Sequence, residues 1–327
     1  MNATPEKVVI IGAGTIGTAI GNVLSENRKA KVTLHSIEKE IVEGINATGM
    51  NMKYFPQLHL HPGLKATTDN KVLGNAELIF LAIPSGVLID YLRSLKDQIN
   101  PRAVILNLAK GFGNGHKTIY RCFREEFNNP FCSFKGPSFA REIINRMPTG
   151  FTLGCENKKI EKLVVSLFAG TSVSIDITRD IEGVEILSIL KNIYAIVIGI
   201  VDAFYNSPNL RFLVLTRAFK EMRTVLLHFG GNEDTLFKYC GFGDFTLTAL
   251  NDLSRNRTLG LLIGKGFFTE NVSHELVLEG QVAVTIFYEE ISKYRDVETE
   301  FPIISGLHKV LYQKTGIPSF VNSLLKD

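Results

Sequence analysis

Short apolar runs alternate with amphipathic segments through the first half of the chain. The runs predict strands at 8–11, 31–35, 64–67, 77–83, 103–108, 131–134, 151–154 and 173–177. Helical periodicity predicts helices at 16–26, 38–47, 85–97, 118–126 and 158–168. The run at 77–83 is apolar on both faces, which is typical of a strand covered on both sides. We therefore predict an α/β fold with a mostly parallel, doubly wound, Rossmann-like sheet.

The pattern changes near residue 180. Strand-like runs end there, and helical periodicities follow at 182–201, at 210–228, in a short segment near 234–239, and onward to the C-terminal region. No Gly/Ser/Pro-rich spacer interrupts the chain at this point. We predict a sheet domain over residues 1–180 and an all-α domain over residues 181–327.

A glycine pattern follows the first predicted strand. Gly12, Gly14 and Gly17 form a GxGxxG motif between the strand at 8–11 and the helix that follows. In such a motif the first glycine permits a tight turn, the second lets the backbone approach a pyrophosphate, and the third allows close helix–strand packing. An ordinary glycine turn is the alternative, but the strand–turn–helix context favours a dinucleotide-binding domain.

Composition excludes several classes of function. The chain has 327 residues, a net charge of +3 and four widely spaced cysteines, so neither nucleic acid nor a membrane surface is an expected partner. The N-terminus lacks a signal-peptide pattern, and apolar runs such as 195–201 are shorter than the roughly 20 residues that span a bilayer. Seven histidines without ligand spacing predict no metal site. A cytoplasmic protein with reduced thiols is expected.

The predicted helix at 182–201 carries few polar residues among apolar ones. Lys191 and Asn192 therefore lie in a core or a closed pocket. Burial and neighbouring cations lower the pKa of a lysine, which suits a general base. The alternative is a lysine that reaches solvent or pairs with a carboxylate such as Glu185. Asp244 begins a later predicted helix, where capping alone would account for it.

Other polar residues suit a small anion. Ser254, Arg255 and Asn256 offer hydroxyl, guanidinium and amide donors in succession, although a polar loop is the alternative. Lys110 and Pro84 follow two predicted strands, at the sheet edge where open α/β sheets bind ligands.

Ten blocks, in order along the chain, are similar to the NAD(P)-dependent glycerol-3-phosphate dehydrogenase family. The blocks are GAGTIGTA (12–19), KYFP (53–56), LAIPS (81–85), LAKGF (108–112), GPSFA (136–140), GVEILSILKNIYAI (183–196), LTRAFKEM (215–222), GFGDFTLT (241–248), LSRNRTLG (253–260) and VLEG (277–280). The resemblance implies reversible hydride transfer between NAD or NADP and dihydroxyacetone phosphate or sn-glycerol 3-phosphate, for glycerophospholipid synthesis. It also implies a homodimer, although the sequence itself indicates no interface.

The resemblance also implies roles for individual residues. It makes Lys191 the proton acceptor, with four active-site partners, Lys110, Asn192, Asp244 and Thr248. Substrate binding falls to Gly136, Ser138, Ser254, Arg255 and Asn256 together with Lys110, Lys191 and Asp244. Cofactor binding falls to Thr15, Ile16, Lys110, Ala140, Arg255, Val277 and Glu279, in addition to the three glycines and Pro84.

Two positions depart from the family pattern. Many relatives carry an arginine after the second strand, where this chain has Ile37 flanked by Ser36 and Glu38, so NAD is favoured over NADP. Lys39 remains a cation that could reach a 2′-phosphate. The segment 202–209 replaces a glycine-rich loop with DAFYNSPN, which predicts a different loop conformation.

These departures keep other functions open. One alternative is a dehydrogenase of another small phosphorylated hydroxy/keto compound. Another is a dehydrogenase of a hydroxyacid, against which the donors at 254–256 argue, since a carboxylate needs fewer of them. A non-catalytic nucleotide-binding protein is the third alternative.

Overall fold

The protein is described by a computed structural model over residues 5–267, 279–313 and 315–325. The chain divides into two compact units between Glu185 and Ile186. The first is built on a sheet with helices, and the described part of the second is helical. The predicted fold class, a Rossmann-like α/β unit followed by an all-α unit, is therefore confirmed.

The first unit contains an eight-stranded sheet of order β3-β2-β1-β4-β5-β6-β7-β8. Its strands are β1 (Lys7–Ile11), β2 (Lys31–His35), β3 (Lys65–Thr67), β4 (Leu78–Leu81), β5 (Val104–Asn107), β6 (Phe131–Lys135), β7 (Thr149–Gly154) and β8 (Val173–Thr178). All neighbouring strands are parallel except β6 and β7. The first six strands have the order of a dinucleotide-binding sheet, which places a ligand crevice at the carboxyl ends of β1 and β4.

Helices connect these strands. They are α1 (Thr15–Asn27), α2 (Lys39–Thr48), α3 (Ser85–Ser94), α4 (Ile119–Glu126), α5 (Ala140–Ile144) and α6 (Lys158–Phe168). Alternate residues of β1 enter two hydrophobic clusters, Val8 and Ile10 in one and Val9 and Ile11 in the other. Because successive side chains of a strand point to opposite faces, the sheet is apolar on both faces.

The described part of the second unit contains most of α7 and the helices that follow it. The helices are α7 (Ile181–Tyr205), α8 (Pro208–His228), α9 (Asp244–Leu250), α10 (Arg255–Gly264), α11 (Glu279–Ser292), α12 (Val297–Glu300), α13 (Pro302–Tyr312) and α14 (Ile317–Ser323). A 3₁₀ turn at Glu233–Phe237 and a π-helical turn at Tyr239–Gly243 precede α9.

Helix α7 extends a few residues beyond the predicted range of 182–201. It has 25 residues, and an 18-residue window in it reaches a mean hydropathy of 2.0, so length and composition alone would let it cross a membrane. Every residue of that window is buried inside the protein. Burial identifies α7 as a core helix, although its length and composition alone would also suit a membrane span.

The segment 202–209 forms helix ends rather than a long loop. Helix α7 continues to Tyr205, and α8 begins at Pro208 after Ser207, whose hydroxyl accepts a hydrogen bond from the Leu210 amide. Within this segment, only Asn206 adopts a left-handed backbone conformation, with φ of 43°. Proline suits the first helical turn because a backbone N–H at that position would have no partner within the helix.

Candidate active site

The glycine turn between β1 and α1 is tightly packed at two positions. Gly12 has φ of 109°, and a Cβ there would lie 2.5 Å from the Ala82 carbonyl oxygen. A Cβ on Gly17 would lie 2.0 Å from the Gly12 carbonyl oxygen. Any larger residue would push β1, β4 and α1 apart, so both positions require glycine.

Gly14 differs because a Cβ there would meet no described atom within 4 Å. The backbone before α1 therefore borders open space beside a helix N-terminus, whose free N–H groups favour a phosphate. A cleft of about 460 Å³ lies here. Its lining includes Gly12, Ala13, Gly14, Ser36, Ile37, Glu38, Tyr54, Ile83, Pro84, Val87 and Tyr91. The shape and lining fit a dinucleotide at this edge of the sheet.

The side chains after β2 determine the charge at one end of this cleft. Ile37 is 77% exposed, and Glu38 forms an ion pair of 2.5 Å with Lys53. Burial lowers the pKa of His35, although a hydrogen bond to Asn70 acts in the opposite direction. His35 is therefore neutral at physiological pH and adds no positive charge for a phosphate.

Asn51 supports the glycine turn, a role that the sequence analysis missed. Its side-chain amide is fully buried and donates hydrogen bonds of 2.9 Å to the Ala13 carbonyl and to the Thr18 hydroxyl. A buried asparagine within a polar loop was the available signal, because such a side chain needs partners.

Lys110 lies beyond the carboxyl end of β5. Its ammonium donates hydrogen bonds to the Gly136 carbonyl at 3.0 Å and to the Ser138 hydroxyl at 3.1 Å. The structure thus brings three predicted site residues of the first unit together. A half-buried ammonium and a hydroxyl side by side can bind a substrate oxygen.

In the second unit, α7 presents Lys191 to α9. The Lys191 ammonium donates hydrogen bonds to Asp244 Oδ1 at 2.6 Å and to Thr248 Oγ1 at 2.9 Å, and its side chain is only 7% exposed. Asp244 and Thr248 are buried and one turn apart on α9. This geometry holds the ammonium in one orientation, as a proton donor requires.

Lys191 does pair with a carboxylate, as the alternative interpretation expected, but the partner is Asp244 rather than Glu185. Asp244 is the first residue of α9, one position after the N-cap residue Gly243, and its carboxylate contacts Lys191. Glu185, the alternative partner considered for Lys191, forms an ion pair with Lys135. The partner of Lys191 is 53 residues away in sequence, so helical spacing could not reveal it.

The segment 254–256 forms the start of α10 rather than a polar loop. Ser254 caps the helix by accepting a hydrogen bond from the Arg257 amide. Arg255 is exposed, whereas Asn256 is buried and its Oδ1 has no hydrogen-bond partner among the described residues. A buried polar atom of this kind marks a place for a ligand or a water.

Arg257, in contrast, is committed to the fold. It is buried and forms ion pairs with Asp202 at 2.5 Å and with Asp252 at 3.0 Å. The two adjacent arginines of the motif therefore differ in surroundings, and Arg255 is the one available to a ligand in solution.

The remaining predicted residues occupy varied surroundings. Asn192 Nδ2 lies 3.5 Å from Glu279 Oε2, at the start of α11. Val277 lies outside the described residues. Thr15 and Pro84 are exposed, and Ile16 and Ala140 are half-buried. Within the described ranges, no cluster of three or more His, Cys, Asp or Glu could hold a metal ion.

Comparison with known proteins identifies the chain. Models of the N-terminal and C-terminal parts of NAD-dependent glycerol-3-phosphate dehydrogenase match residues 7–161 and 180–322. The chain belongs to the NAD-dependent glycerol-3-phosphate dehydrogenase family. The predicted family, the oxidoreductase class and a nicotinamide dinucleotide as cofactor are thereby confirmed.

Individual members of the family are similar over nearly their full length. A glycerol-3-phosphate dehydrogenase (NAD(P)+) of Methanothermobacter thermautotrophicus is 39% identical, over 98% of this chain and 96% of its own. One of Clostridium botulinum is 34% identical, over 94% of this chain and 93% of its own. The crystal structure of glycerol-3-phosphate dehydrogenase from Coxiella burnetii superposes with a TM-score of 0.89 at 28% identity, covering 98% of this chain and 99% of that one.

Proposed function

We propose that the protein catalyses the reversible reduction of dihydroxyacetone phosphate to sn-glycerol 3-phosphate, a precursor of glycerophospholipids. The observation that carries the proposal is the Lys191 ammonium, which is buried and oriented by Asp244 and Thr248. Family membership supplies the reaction class, and this geometry supplies the proton donor that a ketone reduction needs.

Lys191 acts as the general acid. When bound, the nicotinamide cofactor supplies the hydride for the carbonyl carbon. The negative charge that grows on the carbonyl oxygen takes a proton from the Lys191 ammonium, and the neutral amine recovers one from water. In the reverse direction the amine removes the alcohol proton. Asp244 favours the ammonium and directs its remaining N–H groups.

Lys110 and the start of α10 bind the rest of the substrate. The Lys110 ammonium, already beside Ser138, adds positive charge that stabilises the developing oxyanion. Arg255, Asn256 and Ser254 would bind the phosphate, for which guanidinium and amide donors are suited. A substrate without a phosphate would leave these donors without an anion.

The glycine turn, Gly14 and Pro84 would hold the dinucleotide, and we infer a preference for NADH. Ser36 and Glu38 offer oxygens to a free ribose hydroxyl, and the neutral His35 offers no charge to a 2′-phosphate. Lys53 is engaged by Glu38 and so is partly neutralised.

The experiment is a rate measurement with the purified full chain. NADH and NADPH are each combined with dihydroxyacetone phosphate, with dihydroxyacetone, and with a short panel of other phosphorylated ketones and 2-ketoacids. We expect the highest kcat/KM for NADH with dihydroxyacetone phosphate. Binding of NADH without turnover of any substrate would instead favour a nucleotide-binding protein. A higher kcat/KM for a 2-ketoacid would overturn the assignment of dihydroxyacetone phosphate as the substrate.

We also infer a cytoplasmic location and, from the family resemblance alone, a homodimer. The four cysteines are free and buried, as in proteins of reducing compartments, and α7 is a core helix. Light scattering after size-exclusion chromatography measures the mass in solution, and cell fractionation measures the location. A monomeric mass or a membrane-bound fraction would contradict this inference.

A further inference from the structure

A second buried lysine lies close to Lys110 in the first unit. Lys135 ends β6, and its side chain is 0% exposed. Its ammonium donates hydrogen bonds to the carbonyls of Asn107 at 2.9 Å and Ala109 at 2.5 Å. It also lies 3.1 Å from Glu185 Oε1. A lysine has three N–H donors, and these three acceptors match them.

Glu185 joins the same strand ends. Its carboxylate accepts hydrogen bonds from Asn107 Nδ2, at 2.9 Å and 3.1 Å to its two oxygens, and from the Ser133 hydroxyl at 2.5 Å. The side chain is 1% exposed. The carboxylate therefore balances the Lys135 charge and ties the end of β5 to β6.

Lys135 and Lys110 each bond from the end of one strand to the backbone after the other strand. Lys135 bonds to the carbonyl of Ala109, the residue before Lys110, and Lys110 bonds to the carbonyl of Gly136, the residue after Lys135. The Asn107 side chain also accepts a hydrogen bond from the Ala109 amide at 2.9 Å. Ala109, the residue that precedes Lys110, is thus held through both its N–H and its C=O groups.

We propose that Lys135, neutralised by Glu185, is a positioning residue that fixes the backbone of Lys110 and of Gly136 so that the Lys110 ammonium meets the substrate. The inference rests on the proposed function, because that function assigns substrate binding to Lys110. It assigns Lys135 and Glu185 no contact with the substrate themselves.

The energetics favour a role beyond folding. A buried ion pair is costly to desolvate, and apolar residues of similar size commonly stabilise a fold as well or better. The pair is placed at the carboxyl ends of parallel strands, where an open α/β sheet binds its ligands. An ion pair with such a desolvation cost is expected where the position of the backbone must be fixed closely.

The test compares a double variant with a control on the same strands. Lys135→Met with Glu185→Gln removes both charges together and keeps the size of both side chains. Asn129→Ala removes hydrogen bonds of 2.9 Å to the carbonyls of Asn100 and Ala103, at the opposite ends of β5 and β6. Both are assayed for kcat and KM with dihydroxyacetone phosphate and NADH. The acetylation rate of Lys110 is followed in parallel by peptide mass spectrometry without substrate.

We expect kcat to fall about tenfold to a hundredfold in the double variant, because small misplacements of a catalytic group carry such losses. Lys110 should be acetylated several-fold faster there, since its ammonium would be less firmly held. Asn129→Ala should lower thermal stability while leaving kcat and Lys110 acetylation at wild-type values. Unchanged kcat and unchanged acetylation in the double variant would overturn the proposal.

Other outcomes are also decisive. If the wild type does not reduce dihydroxyacetone phosphate, the proposed function fails, and Lys110 acetylation alone still tests the positioning role. If the double variant does not fold, Lys135→Arg keeps the charge but changes the reach of the donors, and the same loss of kcat is expected. Failure of both variants to fold would show that the pair serves folding, and would overturn the proposal.

Discussion

Lys191 Nζ lies 2.6 Å from Asp244 Oδ1, and neither side chain is more than 7% exposed. The pair joins the long core helix α7 to the first residue of α9. An ammonium in this position is screened from bulk water and held by a fixed carboxylate. Electrostatic interactions are stronger in such surroundings than in water, so small changes in the pair should have large kinetic effects.

Lys191→Ala should lower kcat for dihydroxyacetone phosphate reduction by about two to four orders of magnitude, the usual contribution of a general acid or base. Asp244→Asn should have a smaller effect, because the amide oxygen can still orient the ammonium. Steady-state rates from the absorbance of the reduced nicotinamide measure both.

The control for these variants is cofactor binding. The glycine turn belongs to the first unit, so NADH affinity, followed by its fluorescence, should be unchanged in Lys191→Ala. A near-normal kcat in this variant would remove Lys191 from the reaction. A lost NADH affinity would instead indicate a folding defect.

Arg255→Ala and Arg257→Ala should separate substrate binding from stability. Arg255 is exposed, so we expect its loss to weaken binding of dihydroxyacetone phosphate by about 1.5–3 kcal/mol, the range of a charged hydrogen bond. Arg257→Ala removes one of the two arginine partners of buried Asp202, the other being Arg211 at 2.6 Å, and should lower the free energy of unfolding by about 1.5–3 kcal/mol.

The two arginine variants control each other. The ratio of kcat/KM for dihydroxyacetone phosphate over dihydroxyacetone measures the first effect, and urea unfolding measures the second. An unchanged ratio in Arg255→Ala would contradict a phosphate-binding role.

Ile37→Arg should raise the use of NADPH relative to NADH. Ile37 is exposed and lines the cleft after β2, so an arginine there can reach a 2′-phosphate without disturbing the core. Ile37→Met is the matched control, since it keeps a long uncharged side chain. The ratio of kcat/KM values for the two cofactors is the measurement. If both variants give the same ratio, the adenosine end of the dinucleotide does not contact this position.

Glu221 should make stability depend on pH. Burial raises its pKa to about 7, although amide donors at the start of α13 and the Tyr194 hydroxyl act against the shift. The folded state then binds a proton between pH 4.5 and about 7 that the unfolded chain has released, so the free energy of unfolding falls as pH rises through this window. The shift corresponds to a loss of about 3 kcal/mol.

Urea unfolding of the wild type and of Glu221→Gln at pH 5 and pH 8 measures this effect. Glutamine cannot ionise, so its advantage over the wild type should grow as the pH rises. Burial lowers the pKa of His228 and of His308, so these groups increase the free energy of unfolding as pH rises. Both proteins carry these histidines, so their contribution cancels in the difference between the two. If the difference in free energy of unfolding between the two proteins is the same at both pH values, the pKa of Glu221 is not raised in the folded state.

Local signals predicted most of the first unit. The predicted strand at 31–35 and helix at 158–168 coincide with β2 and α6, and the other elements shift by a few residues at their ends. Their ends are harder to predict because caps and sheet partners decide them. The antiparallel pairing of β6 and β7 was not predicted, because the apolar pattern of a strand does not show in which direction it runs beside its neighbour.

Lys135 illustrates a signal that was present but not used. Lys110-Gly111 and Lys135-Gly136 both lie at the carboxyl ends of buried strands that pair in parallel, but only Lys110 of the two lysines was predicted as a site residue. A lysine at the end of an apolar strand must find acceptors if it is buried, and the sequence does not say which.

Local sequence patterns were enough to predict the alternation of strands and helices, the glycine turn and the family, because these depend on neighbouring residues and on ordered motifs. Tertiary structure alone decided that Lys191 pairs with Asp244, that Arg257 serves the fold while Arg255 remains exposed, and that segment 202–209 continues two helices. The physical reason is that charges and hydrogen-bond donors are satisfied across distances in sequence that periodicity does not record. Only the packed chain brings those groups within 3 Å of one another.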